Sequence, residues 1–133
     1  VIIAVAGLFY WYFGIRGTGN APLVYKDLLK VEAPVENQII KSPLLVKGMA
    51  RGNWYFEASF PVKLLDANGN NVPLNPPYIM TTNEWMPADF VPFETTLTFT
   101  PSATDTGTLV FQKDNPSGLP ENDDEFAVPV RFR

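Results

Sequence analysis

The sequence predicts an all-β fold, an antiparallel sandwich carried behind one apolar segment. Three observations predict it. Apolar residues in the body of the chain recur every second position, the period of a strand with one buried face. Thirteen prolines are scattered along 133 residues, which disfavours long helices and marks turns and strand ends. Hydrophobic residues make up 46% and charged residues 18%, enough for one domain with its own core and too apolar for a disordered chain.

The longest alternation runs over 54–65. Trp54, Phe56, Ala58, Phe60, Val62 and Leu64 fall on one side, and Tyr55, Glu57, Ser59, Pro61, Lys63 and Leu65 on the other. Read as one strand, it puts Glu57 on the polar face. Asn68-Gly69 follows as a hairpin turn signal. Phe93, Thr95, Leu97 and Phe99 alternate with Glu94, Thr96 and Thr98. Leu109 and Phe111 share a face, as do Phe126, Val128, Val130 and Phe132. Pro129 removes a ladder donor and predicts an edge position for the last strand. Leu29–Glu32 and Leu44–Ala50 supply two further strands, and Asn75-Pro76-Pro77, Asp105-Thr106-Gly107 and Asn115-Pro116-Ser117-Gly118 punctuate the rest. About seven short strands with regular turns predict an immunoglobulin-like antiparallel β-sandwich over residues 31–133; a barrel is the alternative.

Residues 1–15, VIIAVAGLFYWYFGI, carry no charge. As a helix they would be roughly 22 Å long at about 1.5 Å per residue, against a hydrocarbon core of roughly 30 Å, so the span is expected to begin upstream of Val1. FYWYF followed by Arg16 has the pattern of an interfacial aromatic belt. The expectation is a transmembrane helix. The rival readings are a cleaved signal peptide, for which Gly19-Asn20-Ala21 offers small residues, and a buried core helix. Gly17, Gly19 and Pro22 then make residues 16–30 a linker.

The chain has neither Cys nor His. That removes disulfides, thiolate metal sites and the histidine-based catalytic triads. The net charge is −4, with seven basic and five acidic residues in 1–66 and three and nine in 67–133. Such a balance offers no footprint for nucleic acid and is read as solubility. No cofactor is expected.

Taken together, SPLLVKGMARG (42–52), WYFEASFPVKLLDANG (54–69), EWMPADFVPFETTLTF (84–99) and GTLVFQKDNPSGLPEND (107–123) resemble the immunoglobulin-like domain of bacterial spore germination. The resemblance spans about residues 31–132. It implies a bacterial envelope domain placed after a lipid or membrane anchor, with an immunoglobulin-like fold and no catalytic residues.

The candidate chemistry is sparse. Glu57 and Glu94 form the best carboxylate pair for glycoside hydrolysis, which requires the two about 5–10 Å apart in one cleft; cross-strand pairing with Lys or Arg is the plainer role. Asp66-x-Asn68-x-Asn70 imitates the start of a calcium loop, but Asn71 and Pro77 stand where Gly and Glu are needed, so a hairpin turn is favoured. Glu121-Asn122-Asp123-Asp124-Glu125 reads as a solvated acidic loop, with weak calcium binding as the rival. Ser117 has no base to activate it. Trp85 is either an exposed anchor for sugar or protein or a plug for one end of the sandwich. The expected function is a non-catalytic, membrane-anchored extracytoplasmic binding or structural module of the bacterial envelope. Its expected partners are an envelope protein or cell-wall glycan, and its expected surface is Trp85, Asn115, Ser117, Glu121, Asp123 and Asp124. A carbohydrate-active enzyme using Glu57 and Glu94, or a spacer, are the alternatives.

Overall fold

The computed structural model describes residues 21–81 and 89–133. The anchor expected at 1–15, and Trp85, lie outside the described residues. Among the described residues no helix is long and apolar enough to cross a membrane.

Among the described residues ten strands form two sheets. They are β1 (Leu23–Tyr25), β2 (Leu29–Ala33), β3 (Gln38–Ile39), β4 (Leu44–Arg51), β5 (Ser59–Asp66), β6 (Asn71–Val72), β7 (Tyr78–Met80), β8 (Phe90–Leu97), β9 (Thr106–Gln112) and β10 (Glu125–Arg131). One sheet runs β1-β2-β4-β8. The other runs β3-β10-β9-β5-β6, with β7 also paired to β5. All pairs are antiparallel except β3 with β10. β2 ends in the first sheet at Ala33, and after Pro34 the chain crosses over to lie beside β10 in the second. The four strands missed by periodicity, β1, β3, β6 and β7, are two or three residues long, too short for alternation to register. The first sheet also takes in residues 23–25, inside the stretch 16–30 expected as a linker, and contains the strand expected from Leu29.

The inward faces interdigitate into one core. Leu29, Val31 and Val46 from one sheet and Phe60, Leu64, Leu109, Phe111, Val128 and Val130 from the other are essentially inaccessible. Phe60 stands at the centre of a ring cluster, 5.3 Å from Tyr55, 5.4 Å from Phe93 and 6.4 Å from Phe111 between centroids. Edge-on and tilted contacts of this kind suit the ring quadrupoles and add to the area buried. Gly48 lies directly across from Phe93 in the β4–β8 ladder, and a Cβ there would come within 2.9 Å of the Phe93 ring and 2.2 Å of the Lys30 carbonyl oxygen. The absent side chain is what lets the Phe93 ring lie across β4.

One expectation from alternation is corrected. The strand predicted over 54–65 begins only at Ser59. Gly52–Trp54 is a 3₁₀ turn, and Phe56-Glu57-Ala58-Ser59 is a tight reversal in which Phe56 N–H donates to Ser59 O at 2.8 Å and Ser59 N–H to Phe56 O at 3.1 Å. Glu57 and Ala58 take positive φ, 52° and 66°. The reversal breaks the parity: Tyr55 is buried and its hydroxyl donates to Val91 O at 2.7 Å, whereas Phe56 is 37% exposed. The edge position expected from Pro129 is found: among the described residues the two-residue β3 covers only Val130 and Arg131 of β10, and from Glu125 to Pro129 no strand is paired on that side. N–H and C=O of one residue point to the same side of a strand. Pro129 O accepts from Asn37 N–H on the β3 side, and the β3 register starts only at Val130, so the missing donor falls where the ladder ends.

Candidate loop-pole binding site

Three connections meet at one end of the sandwich: the β1–β2 turn, residues 52–58 between β4 and β5, and residues 113–124 between β9 and β10. Backbone bonds tie them together, Asp114 N–H donating to Trp54 O at 3.0 Å and Arg51 N–H, at the end of β4, to Leu28 O at 2.9 Å, while Gly52 N–H donates to Asp89 O, just before β8, at 2.9 Å. The Arg51 guanidinium also holds Asp27, through its backbone carbonyl at 3.1 Å and its carboxylate at 2.9 Å. Arg51 covers the Phe90 ring at 3.9 Å, and Lys30 reaches the same ring at 4.5 Å.

The β9–β10 loop is built from its own side chains. Asn115 donates to Leu119 O at 2.8 Å and to the Asp123 carboxylate at 2.6 Å, while its amide oxygen accepts from the Ser117 hydroxyl. Ser117 Oγ in turn accepts from Leu119 N–H and from the Asn122 amide, at 3.2 and 3.0 Å. Gly118, at φ 71°, allows the bend. At the base, Lys113 N–H donates to Asp124 O at 2.9 Å. Of the residues predicted as a binding surface, Asn115, Ser117 and Asp123 therefore shape the loop through their mutual bonds. Asp124 is turned toward Tyr25, whose hydroxyl donates to it at 2.6 Å. Glu121 is exposed on the short turn Pro120–Asn122.

Two grooves flank this loop. One, about 350 Å³, has Tyr55, Phe56 and Pro116 in its wall with Asn53, Lys113 and Asp114. The other, about 520 Å³, is polar and is lined by Tyr25, Pro61, Gln112, Lys113 and Asp123 to Glu125. Tyr25, Asn53, Tyr55 and Phe56 are not among the residues the sequence points to as a binding surface. A turn signal at 56–59 could not be found there, because Glu-Ala lacks the Asn-Gly or Asp-Gly that ordinarily marks positive φ.

The candidate chemistry falls elsewhere. Glu94 sits on the outer face of β8 opposite Lys47, in a groove of about 470 Å³ that also holds Glu32, and Glu57 is not among its walls. The structure thus does not bring Glu57 and Glu94 into one cleft there. The Asp66 carboxylate accepts from Asn68 N–H at 2.8 Å and Asn70 N–H at 2.9 Å, which makes the calcium-like motif a side-chain-capped turn with Gly69 at φ 82°. Among the described residues no three acidic side chains gather as a metal would require.

Two sheets, β1-β2-β4-β8 and β3-β10-β9-β5-β6, packed over one core are consistent with an immunoglobulin-like β-sandwich. The family model for the immunoglobulin-like domain of bacterial spore germination matches residues 28–119, more than half of the chain, and the chain belongs to that family. No curated protein and no solved structure matches it.

Proposed function

We propose that the protein is a non-catalytic binding module held at a bacterial membrane by residues 1–15, with its sandwich on the extracytoplasmic side. In this reading the loop pole is presented to an envelope protein or to cell-wall glycan. The observation that carries the reading is the construction of the β9–β10 loop. Its polar side chains fix one another, so the adjoining groove with half-exposed Phe56 exists before any partner arrives. Preorganisation of this kind lowers the entropy lost on binding. Family membership favours a non-catalytic module. The uncharged, aromatic-ended 1–15 segment favours the tether.

The test uses the full chain expressed in a bacterium. Recovery in carbonate-washed membranes, with the sandwich cleaved by protease added to spheroplasts, is the expected result; a soluble protein, or one protected in spheroplasts, overturns the tether and its orientation. Binding is read by sedimentation with isolated cell-wall sacculi and by cross-linking in intact cells. Retention by either, lost in Phe56→Ala, is expected. Identical behaviour of the wild type and Phe56→Ala overturns the loop-pole assignment.

A further inference from the structure

β1 pairs only with β2 among the described residues, and three residue pairs hold it there. Val24 at its centre is 58% exposed. It also lies outside the stretch that matches the family, which starts at residue 28. By its ladder alone such a strand would fray, since a three-residue edge strand buries little. What fastens it is Tyr25. The ring stacks on Phe126 at 5.1 Å and meets Trp54 edge-on at 6.1 Å, while the hydroxyl donates to Asp124 Oδ1. Asp124 Oδ1 also accepts Glu125 N–H at 2.9 Å, and Asp124 O accepts Lys113 N–H. One side chain from the tether end of the chain is thereby bonded to the residue that closes the β9–β10 loop.

We propose that β1 is a latch between the tether and the loop pole, one that opens as a unit before the sandwich unfolds. The geometry favours opening. The free end of β1 is at Leu23, opposite Val31, and its turn is at the far end, so tension on residue 21 unzips the pairs one after another. Lys26, at φ 53°, and the Leu28 N–H to Tyr25 O bond of 3.1 Å form the hinge. Release of residues 22–28 yields roughly 23 Å of chain at about 3.3 Å per residue. It takes Tyr25 out of the wall of the polar groove and leaves Asp124 Oδ1 with the Glu125 N–H alone of its two donors. The latch itself is independent of where residues 1–15 reside; only its role in passing membrane tension to the loop pole rests on the tether reading above.

Native-state hydrogen exchange on the full chain in detergent tests it, read at Leu28, Lys113 and Glu125 against the β4–β8 ladder. In the wild type the Leu28 amide is expected to exchange at least tenfold faster than that ladder. Tyr25→Phe keeps the ring and removes the hydroxyl. Loss of a hydrogen bond to a carboxylate is expected to speed Lys113 and Glu125 by about tenfold or more, with the β4–β8 amides unchanged. Leu28 protected as strongly as the β4–β8 ladder overturns the latch, because β1 then opens only with the whole domain. A Tyr25→Phe variant that shifts every amide equally, or leaves Lys113 and Glu125 unmoved, overturns the link to the loop. Neither outcome bears on membrane fractionation, so the latch and the tether fail separately.

Discussion

Replacing Glu57-Ala58 by Asn-Gly separates the reversal seen at 56–59 from a continuous strand, because the two geometries predict opposite signs. In the reversal both residues hold positive φ, 52° and 66°, and reciprocal backbone bonds of 2.8 and 3.1 Å fix them. An L-residue in this region is disfavoured by about 1–2 kcal/mol, and glycine is not. Against that, glycine loosens the unfolded chain by about 0.4–1 kcal/mol. Ala58→Gly should therefore gain about 0.5–1 kcal/mol, and Glu57→Asn adds a few tenths because Asn tolerates the left-handed region. The sum, about 1 kcal/mol, raises Tm by about 3–6 °C for a domain of this size. Glu57 is exposed and the Ala58 carbonyl keeps its bond from Thr81 N–H, so no packing loss opposes the gain. Calorimetry of the double variant in the full chain reads the shift. A fall in Tm would refute the reasoning, since Asn and Gly are poor strand residues and would weaken a ladder running through 57–58.

Other outcomes follow from the same geometry. Gly48→Ala drives a Cβ against the Lys30 carbonyl and the Phe93 ring, and should lower stability by about 2–3 kcal/mol in denaturant titration. Burial holds the Tyr55 phenol well above its usual range, so the folded protein keeps a proton that the unfolded chain releases. Stability should accordingly fall as pH rises above about 10, and Tyr55→Phe, which also loses the bond to Val91 O, should be less stable at pH 7 and show a smaller alkaline decline. Asp66→Ala removes two backbone bonds at the β5–β6 turn and should cost about 1–2 kcal/mol, while millimolar calcium leaves the wild-type Tm unchanged. A calcium-dependent rise in Tm would restore the metal-loop reading.

Glu57 shows where reading from sequence stops. Its neighbours alternate perfectly, and alternation is a statement about which residues can share a face, with no information on where the chain bends. The bend at 56–59 is imposed from outside: Trp54 and Tyr55 are both drawn into the core, one beside Tyr25 and the other beside Phe60, and two adjacent residues can turn inward only where the strand is interrupted. The acidic run is a similar case. Its composition suggested a surface, but whether Asp124 faces solvent was set by Tyr25, 99 positions away.

The sequence by itself determined the class of fold, the long strands and the absence of His- and Cys-based chemistry, because a two-residue period and missing residue types are local properties. It also carried the family, through stretches long enough to be specific. Only the tertiary structure decided that β3 crosses to the second sheet, that Glu57 sits on a reversal outside the groove that holds Glu94, and that β1 is pinned to the loop pole. Each of these rests on contacts between residues far apart in the chain, whose free energy exists only once both sheets have closed over the core.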